Sequence, residues 1–373
     1  MKIGSPKESK EQEYRVGLTP KSVSALIRDG HDVWIEHNAG AGIGASDKDY
    51  LEVGAQITAN IAELFDQVDL IVKVKEPNSS ECALLQPRHT LFTYLHLASD
   101  PEQAKNLIAS KAICIAYETV TDTEGHLPLL TPMSEIAGRL AVQEAATFLG
   151  KHHGGMGVLL GGATGVEPAH VVIVGGGVVG RNACKIALGL GARVTILDRS
   201  ESQLDRFRKQ YAEAINCVES TAETLAIYVK AADMLVGAVL IPGSKAAKLI
   251  TSAMVKTMKP GAIIVDVAID QGGCCENSRP TTHTNPTYIV DGVIHYCVAN
   301  IPGAVARTAS AALNIATLPF TRALANKGVR EALKADIHLR AGLNICRGRV
   351  TNADVARDLG LNYTDPTSLL GDL

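Results

Sequence analysis

The 373-residue sequence predicts an α/β protein in which one parallel-sheet domain is inserted into another. Three observations support this prediction. Strand-like and helix-like runs alternate through residues 1–130, which is typical of a parallel sheet with crossover helices. A glycine-rich turn at Gly175–Gly180 separates an apolar run from a helical stretch in the middle of the chain. After Pro302 the sequence is rich in alanine and leucine and returns to long helical patterns.

Residues 1–130 are predicted to form the first part of a catalytic, substrate-binding domain. Strands are predicted at Lys2–Gly4, Asp32–Glu36, Val68–Lys75, Thr90–His96 and Ala112–Glu118. Helices are predicted at Pro20–Asp29, Asp47–Val53 and Pro101–Ser110. Thr19, Ser46 and Asp100 directly precede these helices and are suitable N-caps.

Residues 131–303 are predicted to form the second domain, entered through a long helix from Pro132 to about Gly150. Its later helices are predicted at Ser202–Tyr211, Ala222–Ala231 and Lys245–Met258. Its later strands are predicted at Ala214–Val218, Met234–Val239, Ala262–Ile269 and His295–Asn300. Residues 304–373 begin with a helix at Ala304–Asn326 and are expected to be mostly helical and to return to the catalytic domain.

The glycine turn is the strongest functional signal in the chain. The apolar run Val171–Val174 leads directly into Gly175, Gly177 and Gly180, which have GxGxxG spacing. The first glycine permits a tight turn, the second lets the backbone approach a pyrophosphate, and the third lets the next helix pack close to the strand. The N–H groups at the start of that helix would then face the phosphates. This order predicts a Rossmann-like dinucleotide-binding domain.

An acidic residue follows at the expected distance. The next apolar run, Val194–Leu197, ends at Asp198, which lies 18 residues after Gly180. A carboxylate at this position accepts hydrogen bonds from the adenosine ribose, and its charge would repel a 2′-phosphate. The sequence therefore favours NAD as the cofactor, while the neighbouring Arg199 leaves NADP as an alternative.

Four polar residues are expected near the carboxyl ends of strands, where open parallel sheets bind ligands. They are Arg15, Lys75, His96 and Asp270. Each also has an ordinary structural explanation: a surface ion pair for the arginine, a solvated strand end for the lysine, a core position for the histidine and a loop cap for the aspartate. Together they suit a small carboxylate substrate. The two cations can hold a carboxylate or polarise a carbonyl, the imidazole can move a proton, and the aspartate can steer an amine or assist water. We expect all four to face one cleft between the domains.

Composition narrows the class of protein. A net charge of −3 without a basic stripe argues against a nucleic-acid partner. No apolar run approaches membrane-spanning length, and the start MKIGSPKE does not resemble a signal peptide, so neither membrane insertion nor export is predicted. The eight cysteines show no CxxC spacing, which predicts reduced thiols in a cytoplasmic protein, without a disulfide framework or a metal site.

Several longer stretches resemble the bacterial alanine dehydrogenase family along essentially the whole chain. In the first part they are PKESKEQEYRVGLTP at Pro6–Pro20, VKVKEP at Val72–Pro77, FTYLHLA at Phe92–Ala98 and TPMSEIAGRLA at Thr131–Ala141. In the rest they are GVEPAHVVIVGGGVVG at Gly165–Gly180, VDVAIDQGG at Val265–Gly273, SRPTTH at Ser278–His283 and CVANIPGAV at Cys297–Val305.

The resemblance implies reversible oxidative deamination of L-alanine to pyruvate and ammonium with NAD, by a cytoplasmic homohexamer. It implies that Arg15 and Lys75 bind substrate and that His96 and Asp270 are the acid/base residues. The residues implied at the cofactor site are Ser134, Gly175, Gly177, Val178, Val179, Gly180, Asp198, Ser220, Val239, Leu240, Val267, Ala268, Ile269, Asp270, Arg279, Val298, Ala299, Asn300 and Ile301. Family members often carry a basic residue where this chain has Gln203, so no salt bridge from that position to the cofactor is expected.

Three other functions remain open at this point. The same signatures resemble the soluble NAD-binding part of proton-translocating transhydrogenase, a binding module that does not need Lys75, His96 and Asp270 together. Lysine-forming saccharopine dehydrogenase is a more distant resemblance and would need room for a dicarboxylate. A catalytically silent regulator would bind NADH without turnover.

Overall fold

The computed structural model describes residues 1–239 and 246–371, which form two compact units. The first unit comprises Met1–Met133 together with the segment from Gly303 onward, and the second comprises Ser134–Pro302. The strands are β1 Lys2–Ser5, β2 Asp32–Glu36, β3 Gln56–Thr58, β4 Leu70–Val72, β5 Thr90–Thr93, β6 Ile113–Ala116, β7 His170–Val174, β8 Arg193–Asp198, β9 Ile215–Glu219, β10 Met234–Gly237, β11 Ile263–Asp266, β12 Thr287–Val290, β13 Val293–Tyr296, β14 Leu343–Cys346 and β15 Arg349–Val350. The helices are α1 Pro20–Arg28, α2 Asp47–Glu52, α3 Ile61–Gln67, α4 Ser79–Leu84, α5 Pro101–Ser110, α6 Thr131–Phe148, α7 Val178–Gly189, α8 Glu201–Tyr211, α9 Ala222–Ala231, α10 Ser252–Val255, α11 Ala306–Lys327, α12 Val329–Ala335, α13 Ile337–Ala341, α14 Ala353–Leu359 and α15 Pro366–Leu369.

The sheet of the first unit has the strand order β15-β14-β6-β5-β4-β1-β2-β3. Strands β1 to β6 run parallel, and their side chains are mostly buried because crossover helices cover the sheet. The predicted strands through Lys75 and His96 are too long. Strand β4 ends at Val72 and β5 ends at Thr93, because glutamate side chains bind the backbone N–H groups that follow.

The chain after residue 304 is mostly helical, as predicted, but it also contains two strands that the sequence does not predict. Helix α11 closely matches the predicted helix, but β14 pairs antiparallel with β6 and adds the short β15 beyond it. All four residues of β14 are buried. The run LNIC is too short to show strand periodicity between helical segments, so only its pairing with β6 reveals it.

The sheet of the second unit has the order β12-β13-β11-β10-β7-β8-β9, parallel except for β12. The sequence does not predict the edge strand β12, because this strand lies in the stretch before His295 that is predicted as a loop rich in glycine and cysteine. The predicted strand at Ala262–Ile269 ends at Asp266, whose side chain accepts the N–H of Ala268 (3.1 Å) and starts a 3₁₀ turn over Val267–Gln271. The strand predicted at His295–Asn300 is instead β13, which ends at Tyr296.

The predicted helix Lys245–Met258 is also wrong in extent, and its first residue lies outside the described part of the chain. Within the described part, the helix begins only at Ser252, where the side chain of Thr251 accepts the N–H of Met254. Before it, Leu249 and Ile250 both donate their N–H groups to the carbonyl of Cys274 (2.8 and 3.0 Å). That pairing holds the segment extended. With two mainly parallel sheets flanked by helices, the predicted α/β class is confirmed.

Candidate active site

Three of the predicted site residues lie on the first unit, beyond the carboxyl ends of strands β1, β4 and β5. These strands are neighbours in the sheet and run parallel, so Arg15, Lys75 and His96 all follow strands at the carboxyl end of the sheet. Lys75 and His96 each lie three residues after their strand, and Arg15 lies in the loop between β1 and α1. Open parallel sheets bind ligands at the carboxyl ends of their strands.

Arg15 is buried, with 3% of its surface exposed, so the explanation as a surface ion pair is wrong. Its Nε and Nη2 donate to the two carboxylate oxygens of Glu13 (2.7 and 2.6 Å), and Nη1 contacts Sδ of Met133 (3.1 Å). Burial opposes the charge of Arg15, but the Glu13 carboxylate more than offsets this and raises the pKa of the guanidinium. The arginine is therefore a permanent, rigidly held cation.

Lys75 is half-buried, and its Nζ makes no hydrogen bond to a residue in the described part of the chain. Its backbone is held by hydrogen bonds to a buried glutamate. The carboxylate of Glu8 accepts the N–H of Val74 (2.7 Å) and that of Lys75 (3.3 Å). Among the described residues, no carboxylate lies within ion-pair distance of the Lys75 ammonium, so this group can bind a ligand at the carboxyl end of the sheet.

A buried ion cluster lies beneath this turn. Lys73 is fully buried and places Nζ 3.3 Å from carboxylate oxygens of both Glu8 and Glu81. Burial alone would lower the pKa of Lys73, but the two carboxylates raise it above its ordinary value. Burial raises the pKa of Glu8, although Lys73 and the Val74 N–H oppose that shift.

His96 has left-handed backbone dihedrals (φ 49°, ψ 37°). The Glu118 carboxylate accepts its N–H (2.6 Å) and that of Leu95 (3.1 and 3.2 Å), and one oxygen lies 4.0 Å from the imidazole Nδ1. The ring stacks on Tyr94 at a centroid distance of 5.8 Å. The side chain is 38% exposed, and no ring hydrogen bond joins it to a described residue, so the core explanation is wrong for His96.

Electrostatic contacts connect these three residues. Burial opposes ionisation of Glu76, but the charges of Lys75, His96 and Lys10 lower its pKa below the ordinary value. The ring of Tyr94 lies within the electrostatic reach of Arg15, and its hydroxyl donates to the carbonyl of Leu129 (2.6 Å). The structure therefore places the three predicted residues of the first unit in one polar region at the carboxyl end of the sheet.

Sequence reasoning missed the carboxylates that hold these residues, which are Glu8, Glu13, Glu76 and Glu118. Glu8 and Glu13 lie in the stretch PKESKEQEYRVGLTP, but glutamates in a charged loop usually indicate a solvated surface. Only the fold shows that both are buried, at 6% and 7% exposure. Glu118 follows β6 in a 3₁₀ turn, and its position beside β5 gives it access to His96.

A cavity of about 270 Å³ in the first unit lies at the amino ends of the parallel strands, at the opposite end of the sheet from Arg15, Lys75 and His96. It is lined by Leu70, Thr90 and Ile113, which begin β4, β5 and β6. Because these are the amino ends of parallel strands, the cavity is separate from the edge that carries the predicted site.

The second unit contains the glycine turn in the predicted context, between β7 and α7. Gly175 has φ +106°, which only glycine adopts readily, and a Cβ on Gly180 would overlap the carbonyl oxygen of Gly175. Gly177 is the N-cap of α7, makes no side-chain cap, and would place a Cβ in open space. The first N–H groups of α7, including those of Val178 and Val179, therefore face a glycine turn that an external anion can approach.

Asp198 ends β8 beside this turn. Its carboxylate accepts the N–H of Gly176 (2.6 Å) and that of Ser200 (2.7 Å), so it is oriented by the glycine loop and by the cap of α8. A carboxylate has about four acceptor positions, so further hydrogen bonds to a ribose are compatible with these two. Ser220 follows β9, the next strand along the sheet, and donates its N–H to the carbonyl of Asp198 (2.9 Å).

The predicted cofactor residues Val267, Ala268, Ile269 and Asp270 lie in the 3₁₀ turn Val267–Gln271 after β11. Asp266 anchors this turn by also accepting hydrogen bonds from the N–H of Cys275 (3.0 Å) and the hydroxyl of Ser278 (2.5 Å). Asp270 lies four residues beyond the strand, is exposed, and makes no hydrogen bond to a described residue, so it does not cap the following loop.

The remaining predicted cofactor residues occupy several positions in the second unit. Val298–Ile301 follow β13, and Asn300 has φ +70°. The exposed guanidinium of Arg279 lies over the ring of Tyr288 at 4.3 Å. Ser134 lies in the first turn of α6, Val239 follows β10, and Leu240 lies outside the described residues. The amide oxygen of Gln203 is buried without a hydrogen-bond partner in the described part of the chain.

These features fit a dinucleotide: a close-packed glycine turn, an uncapped twelve-residue helix and an oriented acid at the next strand end. The fold and the site define a nucleotide-dependent dehydrogenase. Two family models match the chain: the alanine dehydrogenase/PNT N-terminal domain over residues 4–137 and the alanine dehydrogenase/PNT C-terminal domain over residues 141–353. The chain belongs to the alanine dehydrogenase/PNT family, as the sequence resemblance predicted.

Curated relatives support the same assignment. An alanine dehydrogenase of Halomonas elongata is 54% identical over 371 residues, covering 100% of both chains. An alanine dehydrogenase of Methanococcus maripaludis is 52% identical over 373 residues, again covering 100% of both. Over this extent of similarity, the prediction of an amino-acid dehydrogenase is confirmed.

Solved structures agree with the fold. A structure of L-alanine dehydrogenase matches with a TM-score of 0.93 at 48% identity, covering 96% of this chain and 99% of the other. A transhydrogenase from Sinorhizobium meliloti matches with a TM-score of 0.80 at 24% identity, covering 95% and 99%, which shows a shared fold alone. Among the described residues, the structure contains no helix long and apolar enough to cross a bilayer.

Proposed function

We propose that this chain catalyses the reversible oxidative deamination of L-alanine to pyruvate and ammonium with NAD. The observation that carries the proposal is the placement of Arg15, Lys75 and His96 beyond three adjacent strands of one sheet. Two cations and an imidazole at one edge suit a small 2-oxo acid. The relatives named alanine dehydrogenase, which match over the full length, support alanine as the amino acid, and deamination of alanine yields pyruvate.

Each residue has a distinct proposed role. Arg15 and Lys75 bind the substrate, with the ammonium of Lys75 suited to a carboxylate or a carbonyl oxygen because no described residue pairs with it. His96 exchanges a proton with the reacting oxygen, since its ring is partly exposed. Asp270, on the second unit, is proposed as the second acid/base residue.

The second unit would hold the cofactor through the glycine turn, Asp198 and the loops after β10, β11 and β13. When bound, NAD supplies the hydride acceptor, which the protein side chains do not provide. We propose NAD rather than NADP because the Asp198 carboxylate stands where a 2′-phosphate would need a cation. The exposed Arg199 is the residue that would favour NADP instead.

The first experiment follows NADH absorbance with pyruvate and ammonium, omitting each in turn, and repeats the assay with 2-oxoglutarate plus lysine. Oxidation that requires both pyruvate and ammonium is the expected result. Activity only with the second pair would indicate a saccharopine dehydrogenase. NADH binding without turnover in either mixture would indicate a binding module or a silent regulator.

Site variants test the residue roles. We expect His96→Ala and Asp270→Ala to lower kcat by about 10²–10⁴-fold while NADH affinity stays near wild type. Lys75→Ala is expected to raise KM for pyruvate. The exposed Lys105 on α5 provides a matched control, and Lys105→Ala is expected to be neutral. Unchanged turnover in the first two variants would refute their assignment.

The resemblance also supports a homohexamer in the cytoplasm as a proposal. The lack of CxxC spacing among the eight cysteines of the sequence also suits a reducing compartment. Light scattering coupled to size exclusion would give a mass near six times 39.4 kDa if the proposal is right.

A further inference from the structure

The backbone at His96 is held in an uncommon conformation. Left-handed dihedrals are sterically unfavourable for a residue with a Cβ, so neighbouring contacts must hold His96 in this conformation. The carbonyls of this turn are held by the Ser99 hydroxyl, which donates to His96 (2.7 Å), and by the Gln103 amide, which donates to Leu95 (3.0 Å). Its N–H groups are held by one further side chain. The Glu118 carboxylate accepts the consecutive N–H groups of Leu95 and His96, the shorter bond being 2.6 Å.

The position of Glu118 explains how it reaches this turn. Strand β6 lies parallel to β5 with Thr93 opposite Ala116, so the residues following both strands come together at the carboxyl edge. Glu118 follows β6 by two residues, and its side chain is only 17% exposed. Its carboxylate therefore binds the turn after β5 in a largely dry environment, where hydrogen bonds to a charged acceptor are strong.

Glutamates perform the same task at the other two substrate-side residues. Glu8 accepts the backbone N–H of Lys75 (3.3 Å), and Glu13 accepts the backbone N–H of Arg15 (3.0 Å). Each of the three proposed substrate residues thus has a carboxylate bound to its own backbone. Glu13 also binds the guanidinium of Arg15, and Glu118 likewise faces the side chain of its residue, with one oxygen 4.0 Å from Nδ1 of His96.

We propose that Glu118 is a positioning residue, which fixes the backbone of His96 and so aims the imidazole at the substrate. The proposal rests on the proposed function of His96 and adds the residue that orients it. Without the carboxylate, the two N–H groups lose their acceptor and the left-handed turn can relax. The ring would then leave its stack on Tyr94 and its aligned position.

The test measures kcat and KM for pyruvate in the full-length protein carrying Glu118→Ala or Glu118→Gln. We expect Glu118→Ala to lower kcat about 10- to 100-fold, because a displacement near 1 Å has that effect, with a smaller change in KM. Glu118→Gln keeps an amide oxygen that can accept both N–H groups, so it should restore most of kcat. Equal losses in the two variants would overturn the role of the backbone hydrogen bonds.

A matched control separates positioning from general stability. Glu63 also accepts a backbone N–H, that of Ala59 (3.0 Å), but it lies beside β3 at the far edge of the sheet. Glu63→Ala should lower the thermal midpoint without lowering kcat. A kcat for Glu118→Ala within about twofold of wild type, with His96→Ala inactive, would overturn the positioning role alone. Retained turnover in His96→Ala would overturn the assignment of His96 and this proposal with it.

Discussion

The buried cluster of Lys73, Glu8 and Glu81 allows a sharp test of how the substrate edge is supported. Methionine has a side chain of similar length to that of Lys73 but without the charge, so little cavity forms in Lys73→Met. The two carboxylates then remain buried without their cation, at 1% and 3% side-chain exposure. Removing one partner of a buried ion pair costs about 3–5 kcal/mol. For a unit of roughly 200 residues this lowers the thermal midpoint by about 6–20 °C.

The loss should depend on pH in a defined direction. Glu8 already has a raised pKa in the folded protein because of burial, and loss of the Lys73 charge raises it further. A carboxyl with a raised folded pKa binds its proton more tightly when folded, so its ionisation subtracts stability above that pKa. As pH falls through the folded pKa, the penalty is relieved. The deficit of Lys73→Met relative to wild type should therefore be largest at pH 7 and smaller at pH 5.

Thermal unfolding without cofactor, at both pH values, is the assay. Lys48→Met is the control, since Lys48 pairs with Glu52 at 3.7 Å on the exposed surface and such pairs contribute little. A midpoint for Lys73→Met within about 2 °C of wild type, or a deficit that grows as pH falls, would refute the reasoning.

Three further predictions concern the glycine turn, the acid beside it and the buried arginine. Gly180→Ala should weaken NADH binding and lower the free energy of unfolding by about 1–3 kcal/mol, because the added Cβ would overlap a backbone carbonyl. Gly189→Ala on the same helix is the control, since its Cβ would enter open space. In the same NADH titration and thermal unfolding experiment, this control should be neutral or stabilising. Asp198→Ala should raise KM for NAD and reduce the preference over NADP; an unchanged preference in steady-state assays with both cofactors would contradict the ribose role. Arg15→Lys should raise KM for pyruvate at least about tenfold, because lysine cannot make the paired hydrogen bonds to Glu13. Arg322→Lys is the control, since Arg322 pairs with Asp29 on the exposed surface, and it should leave KM unchanged.

The sequence predicts the second unit best where chemistry and local geometry coincide. The turn at Gly175–Gly180 needs glycine for steric reasons, and Asp198 ends a buried strand, so the glycine spacing together with the flanking apolar runs predicts both. Positions after predicted strands also led to the prediction of Arg15, Lys75 and His96 as site residues, although β4 and β5 stop three residues earlier than predicted.

The sequence does not reveal contacts between residues that lie far apart in the chain. Nothing in the local pattern around Glu118 indicates that it binds the turn at His96, because that contact depends on the register of β5 and β6. Strand β14 is invisible for the same reason, since its four residues become a strand only by pairing with β6. Hydrophobic periodicity reports which face of an element is buried, not which distant segment covers it.

The pairing of β14 with β6 also bears on how the protein is made. Leu343 lies opposite Ile115, and all of Ser134–Pro302 is synthesised between them. At about 5–20 residues per second, the edge of β6 waits roughly 10–45 s on the ribosome for its neighbour. During that interval the later unit is already a continuous segment able to fold, while the substrate-side sheet has an open edge that can pair with another nascent chain. The last strands to emerge therefore decide whether the first ones remain safe from aggregation.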